Sequence, residues 1–159
     1  MATFDDLVSE LDYPMFIVTA AAGDERAGCL VGFATQASIG PSRFLVCLSE
    51  KNRTFRVARE ATHLGVHFVP ADRDDLAQLF GGETGDEIDK FARTEWHEGP
   101  HGVPIVDGCA NRFVGRILDR FVLGDHVGHL LEPVAVEYGT QGAEFTFHRA
   151  RHIEPGHEA

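Results

Sequence analysis

Basic charge is scarce in this chain of 159 residues: 14 lysines and arginines stand against 25 aspartates and glutamates, for a net charge of −11. Nucleic-acid and anionic-membrane binders need a basic footprint, so the balance argues against both as partners. No apolar run approaches the ~20 residues of a membrane span. Met1 to Asp6 has neither a basic n-region nor an apolar core, so no signal peptide is expected and the chain reads as soluble and cytoplasmic. The three cysteines, Cys29, Cys47 and Cys109, are widely spaced, odd in number and free of any CxxC, which gives no disulfide framework. Buried, inert thiols in a reducing compartment are the expectation. There is no GxGxxG after a strand, no HExxH and no GxSxG, so Rossmann, zinc-peptidase and serine-hydrolase chemistry have no sequence support.

With 43% apolar and 25% charged residues, the composition is that of an ordinary globular protein. One domain over 1–153 is expected, followed by a polar, disordered tail at 154–159. Thr3 would cap a short helix over 3–11, with Phe4, Leu7, Val8 and Leu11 on one face. Met15 to Ala20 reads as a strand, Ala22-Gly23-Asp24-Glu25 as a hairpin turn, and Gly28 to Thr35 as a second strand. The small residues of that second strand mark either close approach by a ligand or backbone, or a tight barrel corner. Leu64, Val66 and Phe68 alternate with His63, Gly65 and His67, the pattern of a half-buried strand. Asp72 is the expected cap of a helix carrying Leu76, Leu79 and Phe80 and stopping at Gly81-Gly82. Residues 83–108 read as a long irregular loop, a lid or an interface element, which Trp96 anchors to the body or to a partner subunit. Long strands over 109–122 and 126–137 flank a tight turn at Leu123-Gly124-Asp125, and Phe145 to Arg149 forms a last strand. Hairpin-linked strands with helical insertions imply an antiparallel barrel, mainly β.

The chemistry concentrates in Arg43 to Thr54. Phe44 to Leu48 has the length of a buried strand, and Val57, Ala58 and Ala61 after it have helical spacing. Lys51, one of only two lysines, sits with Arg53, Arg56 and Arg59 where a strand turns into a helix. Such a junction suits a phosphate, although a solvated basic helix face has the same composition. Nine histidines invite a metal, but His126 and His129 are three apart on a strand and point to opposite faces. In Gly124-Asp125-His126 the turn puts His126 at a strand start, where its ring can reach a pocket at the barrel rim. Asp125 either holds that ring or only closes the turn.

Six segments in order resemble the flavin reductase family, whose fold is an FMN-binding split β-barrel, a Greek-key antiparallel barrel. They are Gly28 to Ser38, similar to GMTVSSFTSVS; Lys51-Asn52-Arg53-Thr54, similar to a K-x-x-T phosphate turn; and Leu76 to Gly82, similar to LAxxFAG. Lys90-Phe91 and Trp96 follow, then Gly102 to Ala110, similar to GxPxLxGAxA, and the GDH turn at Gly124-Asp125-His126 with Gly128 to Leu131 after it. The resemblance runs from Tyr13 to Glu137. It departs from the family where Leu30, Gly32 and Phe33 replace a threonine and two serines.

The resemblance implies an NAD(P)H-dependent flavin oxidoreductase that passes hydride from a nicotinamide to bound FMN, with FAD as the alternative flavin. It also implies a homodimer and a monooxygenase partner that consumes the reduced flavin. Cofactor contacts are expected from Leu30, Val31, Gly32 and Phe33 along the ring, and from Ser49, Lys51, Asn52, Thr54 and Phe80. His126 would act beside flavin and nicotinamide, and no protein metal ligand is expected. The rival is a non-catalytic binder of flavin, deazaflavin or haem on the same barrel.

Overall fold

The computed structural model describes residues 1–84 and 88–154. Gly85 and all of the expected tail but Glu154 lie outside the described residues. Seven antiparallel strands form the main sheet in the order β2-β1-β5-β8-β9-β4-β3. They are β1 (Phe16–Ala22), β2 (Glu25–Val31), β3 (Ala34–Ser38), β4 (Arg43–Ser49), β5 (His63–Phe68), β8 (Arg112–Val122) and β9 (His126–Glu137). The two edge strands, β2 and β3, are separated in the chain only by Gly32 and Phe33. So short a link forces the sheet to curl until its edges meet, which makes a barrel. No ladder joins β2 to β3 among the described residues.

The single strand expected over 28–35 is therefore two strands broken at Gly32-Phe33. A Cβ on Gly32 would lie 2.8 Å from the Tyr13 ring and 3.1 Å from Met15 Sδ, so the chain passes too close to these side chains for a larger residue. Gly28 serves a similar end: a Cβ there would meet the Phe80 ring at 2.8 Å. The small residues of this stretch thus make room for protein side chains.

Val18, Val46, Leu48, Leu64, Val66 and Leu131 fill the barrel. Helix α2 (Arg53–Ala58) plugs one end with Val57 and Ala58, and Arg120 of β8 donates to the carbonyls of Ala58 and Ala61, both at 3.0 Å, beyond its last turn. A second apolar cluster, including Ile17, Leu76, Phe80, Phe91, Val106 and Phe145, lies between the barrel and helix α3 (Asp74–Gly82). Within the segment expected to be an irregular loop, residues 88–108 carry a 3-10 turn at Lys90–Arg93 and a hairpin of β6 (Trp96–Glu98) and β7 (Pro104–Val106). Trp96 anchors this segment by packing edge-on to Phe91, with the Arg26 guanidinium 4.6 Å over its ring.

That covering segment corrects β5, which is buried on both faces rather than one. His67 is wholly buried; its Nδ1–H donates to Ile17 O (2.9 Å) and its Nε2 accepts from the Val106 N–H (3.0 Å). Asp72 does not cap α3. Arg73 occupies the cap position without a side-chain cap bond, and its guanidinium turns instead to Asp75 at 2.9 and 3.0 Å. Helix α1 (Phe4–Val8) keeps its Thr3 capping box but ends earlier than 11, and its apolar face is exposed. The last expected strand is instead one helical turn, α4 (Phe147–Ala150): Phe145 bonds to Val69 and Met15 and the Phe147 N–H to Tyr13 O, and beyond that the backbone–backbone bonds are local. His148 therefore sits in a helical turn rather than in a strand.

Candidate functional site

The turn after β4 is built by backbone bonds. Ser49 ends β4 opposite His126, the first residue of β9, and the Glu50 N–H donates to Asp125 O at 3.0 Å. The Lys51 N–H reaches Ser49 Oγ (3.3 Å), the Asn52 N–H reaches Ser49 O (3.0 Å), and the Thr54 N–H reaches Asn52 Oδ1 (2.9 Å). Asn52 is thus the N-cap of α2. With these amides already bonded and only six residues in α2, an anion here must be held by side chains, not by a bare helix end. Lys51 is exposed and Arg53 half-buried. The Thr54 hydroxyl is buried without a hydrogen-bond partner, although it lies beside the Cys29 thiol, a weak one.

His126 is positioned from both sides. Its Nδ1 lies 2.7 Å from Asp125 Oδ1, and its ring centroid is 5.0 Å from that of Phe33. The hydrogen bond from His126, with a smaller contribution from Lys51, holds the exposed Asp125 carboxyl below its ordinary range. An ionised Asp125 can only accept, so Nδ1 carries the proton and Nε2 is left as the basic nitrogen. Phe33 is 57% exposed, yet its carbonyl is tied to β4 by the Cys47 N–H at 2.8 Å. Beside it opens an apolar groove of about 660 Å³, bounded by Gly32, Phe33, Leu45 and Cys47 of the barrel and by Phe4 and Leu11 near α1. A volume of that order takes a drug-sized planar ligand.

The structure therefore gathers Phe33, Ser49, Lys51 and His126 at one end of the sheet, with Gly32 on the groove wall. Leu30, Asn52 and Phe80 instead border a small cavity on the α3 side, together with Arg53 and Lys90. Val31 and Thr54 point into the protein, and the Phe80 ring is buried against Gly28 and Phe91, so these three offer little side-chain surface to a ligand. Among the described residues no group of three or more His, Cys, Asp or Glu side chains could hold a metal ion. Burial pushes all three thiols up, Cys109 to about 12, which leaves them protonated at neutral pH.

Basic side chains around a turn, an unpartnered buried hydroxyl and an adjoining flat apolar groove fit the phosphate and ring of a flavin nucleotide. Lys90 and Arg53, which border the cavity on the α3 side, were not among the expected site residues. The signal for Lys90 lay in its rarity and in the Lys90-Phe91 pair.

Comparison with known proteins agrees. The FMN reductase (NADH) RutF of Ancylobacter novellus is 28% identical over 154 residues, 96% of this chain and 84% of its own length. The Streptomyces globisporus NADH:FAD oxidoreductase SgcE6 shares the fold at TM-score 0.81 and 20% identity, over 89% of this chain and 84% of that one. Nitrilotriacetate monooxygenase component B from Mycobacterium thermoresistibile does so at TM-score 0.79 and 18% identity, over 89% and 78%. The family model for the flavin reductase like domain matches residues 8–156, which include every strand of the sheet, and the chain belongs to that family.

Proposed function

We propose that this protein is an NADH-dependent flavin reductase that binds FMN between the apolar groove and the basic turn. The observation that carries this is the convergence of Phe33, Ser49, Lys51 and the Asp125–His126 pair beside that groove, in a chain of this family. FMN supplies the electron-accepting ring and NADH the hydride. The protein's part is to bind, orient and shield. Lys51 and its basic neighbours neutralise the phosphate. The groove excludes water from the ring face. Asp125 holds the His126 imidazole with Nε2 free, placed to orient the nicotinamide or deliver a proton. NADH as donor is supported by the names of the relatives, FMN reductase (NADH).

In the same reading the protein is a homodimer in the cytoplasm, a setting that suits NADH and three free thiols. The likeness in fold to a monooxygenase component supports an oxygenase that consumes the reduced flavin. A visible-spectrum titration with FMN tests the binding step: a saturable shift of the flavin bands is expected, and an unchanged spectrum at any protein concentration would overturn the proposal.

A further inference from the structure

The apolar groove of about 660 Å³ has a barrel side, where Phe33 stands against His126, and a second side along α1, formed by Phe4, Val8, Leu11, Tyr13 and Phe147. The flavin reading uses the barrel side. The α1 side has its own chemistry.

Tyr13 is the fixed point there. Its N–H donates to Asp12 Oδ1 at 3.1 Å and its carbonyl accepts from the Phe147 N–H at 2.9 Å. Its ring stacks on that of Phe147 with centroids 4.8 Å apart and planes 11° from parallel. The same ring packs on the backbone of Gly32, where a Cβ would come within 2.8 Å of it. Backbone and ring are both held, so the phenol has a set place on the groove wall.

Three hydroxyl side chains line the groove. Ser9 Oγ donates to Asp6 O at 2.8 Å and Thr35 Oγ1 to Gln36 O at 3.3 Å. The Tyr13 hydroxyl has no acceptor among the described residues. Burial, and then the charge of Asp12, pushes its pKa up, so it stays protonated and can donate. Among the described residues that line the groove none is basic, and the one charged side chain is Asp5. Asp6, Glu10 and Asp12 add further negative charge along and just after α1. An anion entering this side would lose water and meet no cation.

We propose that the α1 side of the groove binds a quinone, which serves the protein as an electron acceptor and takes a hydrogen bond from Tyr13 at one carbonyl oxygen. Aromatic and aliphatic walls call for a flat apolar molecule, the absence of cations for a neutral one, and the spare phenol for one that accepts a hydrogen bond. A place beside the flavin calls for one that can be reduced. A quinone meets all four requirements. In balance, one NADH, one proton and one quinone give one NAD+ and one hydroquinone, with two electrons leaving the nicotinamide and two entering the quinone. Tyr13 gives its proton to the quinone oxygen as negative charge develops there and regains one from water. This rests on the reading of the protein as a flavin reductase.

The test uses the full-length protein loaded with FMN, and 2-methyl-1,4-naphthoquinone as the probe. Equilibrium dialysis should show saturable binding of the quinone. The 2-sulfonate of 1,4-naphthoquinone should bind at least about tenfold more weakly, since its charge finds no partner. Tyr13→Phe keeps the ring that packs on Phe147 and Gly32; it should weaken the quinone about fivefold, the worth of one neutral hydrogen bond. The same variant should hold 2-methylnaphthalene, which has no carbonyl, as the wild type does. In anaerobic turnover with protein in excess over FMN, NADH oxidation should rise with quinone to a plateau, and Tyr13→Phe should lower kcat/KM for the quinone by at least the same factor. No saturable binding, equal affinity for the sulfonate, or equal losses for quinone and hydrocarbon in Tyr13→Phe would overturn the inference. Bleaching of the bound flavin by NADH before quinone is added reads the reductase separately: if it occurs, that reading stands whatever the quinone does, and if it does not, both fall.

Discussion

His67 joins three segments far apart in sequence, since its ring bridges Ile17 on β1 and Val106 on β7 from its own place on β5. Burial pulls its pKa to about 4, so it is neutral in the folded protein at neutral pH. The unfolded chain takes up a proton near the ordinary histidine value of about 6.5, while the folded protein does not until about 4. Between those values the unfolded state binds more protons, so stability rises with pH; it falls as pH drops below about 6.5 and levels off below about 4. We expect this group alone to lower stability by about 2 kcal/mol at about pH 5 relative to pH 7, seen in urea midpoints. Burial pulls His129 down as well, which adds a loss of the same sign. His67→Gln should be less stable at neutral pH yet show a flatter pH dependence; an unchanged slope would contradict the assignment. Nothing in the alternation of residues 63–68 announced this role. A histidine on the polar-looking face reads as exposed until something covers that face. The cover here is the β6–β7 hairpin, whose strands are too short to stand out in the sequence. His126 was legible because a GDH turn fixes where its ring stands. Its contact with Phe33 was not, since the ring pair comes from segments that only the barrel brings together. If Asp125 fixes the tautomer of His126, Asp125→Asn should lower kcat by about tenfold and alter the pH–rate profile, with FMN affinity retained.

Among the elements, β2 and α2 are the two on which the site hangs. Gly28 lets α3 lie against β2, and Gly28→Ala would press a methyl group into the Phe80 ring at 2.8 Å, where Phe91 closes the other side. Overpacking of this kind should cost about 1–3 kcal/mol, measured by denaturant unfolding, and should disturb the Lys90 bonds to Gly28 and Phe80. Asn52→Ala removes the cap of α2 and should cost about 1 kcal/mol. Strand and helix positions along the chain followed from periodicity, as at β4, α2 and the β8–β9 hairpin. The failures fell where tertiary contacts decide. The break at Gly32-Phe33 depends on Tyr13 and Met15, and the cap of α3 on the competition between Asp72 and the Arg73–Asp75 pair. Residues 145–149 have strand composition, but their backbone–backbone bonds to other segments end with Phe147 N–H to Tyr13 O, and the chain then coils into α4.

For the whole molecule, the seven-stranded curl and the burial of both cores place the groove, the basic turn and His126 on one rim. Large apolar side chains remain exposed there and along the long hairpin, including Phe33, Phe121, Val122 and Leu123. Such exposure is more than a lone subunit keeps without reason. Light scattering should therefore give twice the chain mass, and a single-chain mass across the accessible concentration range would contradict the proposed homodimer. Activity, finally, asks whether these parts act together. With NADH as donor and catalytic FMN in air, the purified protein should oxidise NADH at a rate proportional to both protein and FMN, and omission of either should abolish it. Saturable FMN binding with no acceleration of NADH or NADPH oxidation over free FMN would contradict the account and leave a flavin-binding barrel without reductase chemistry.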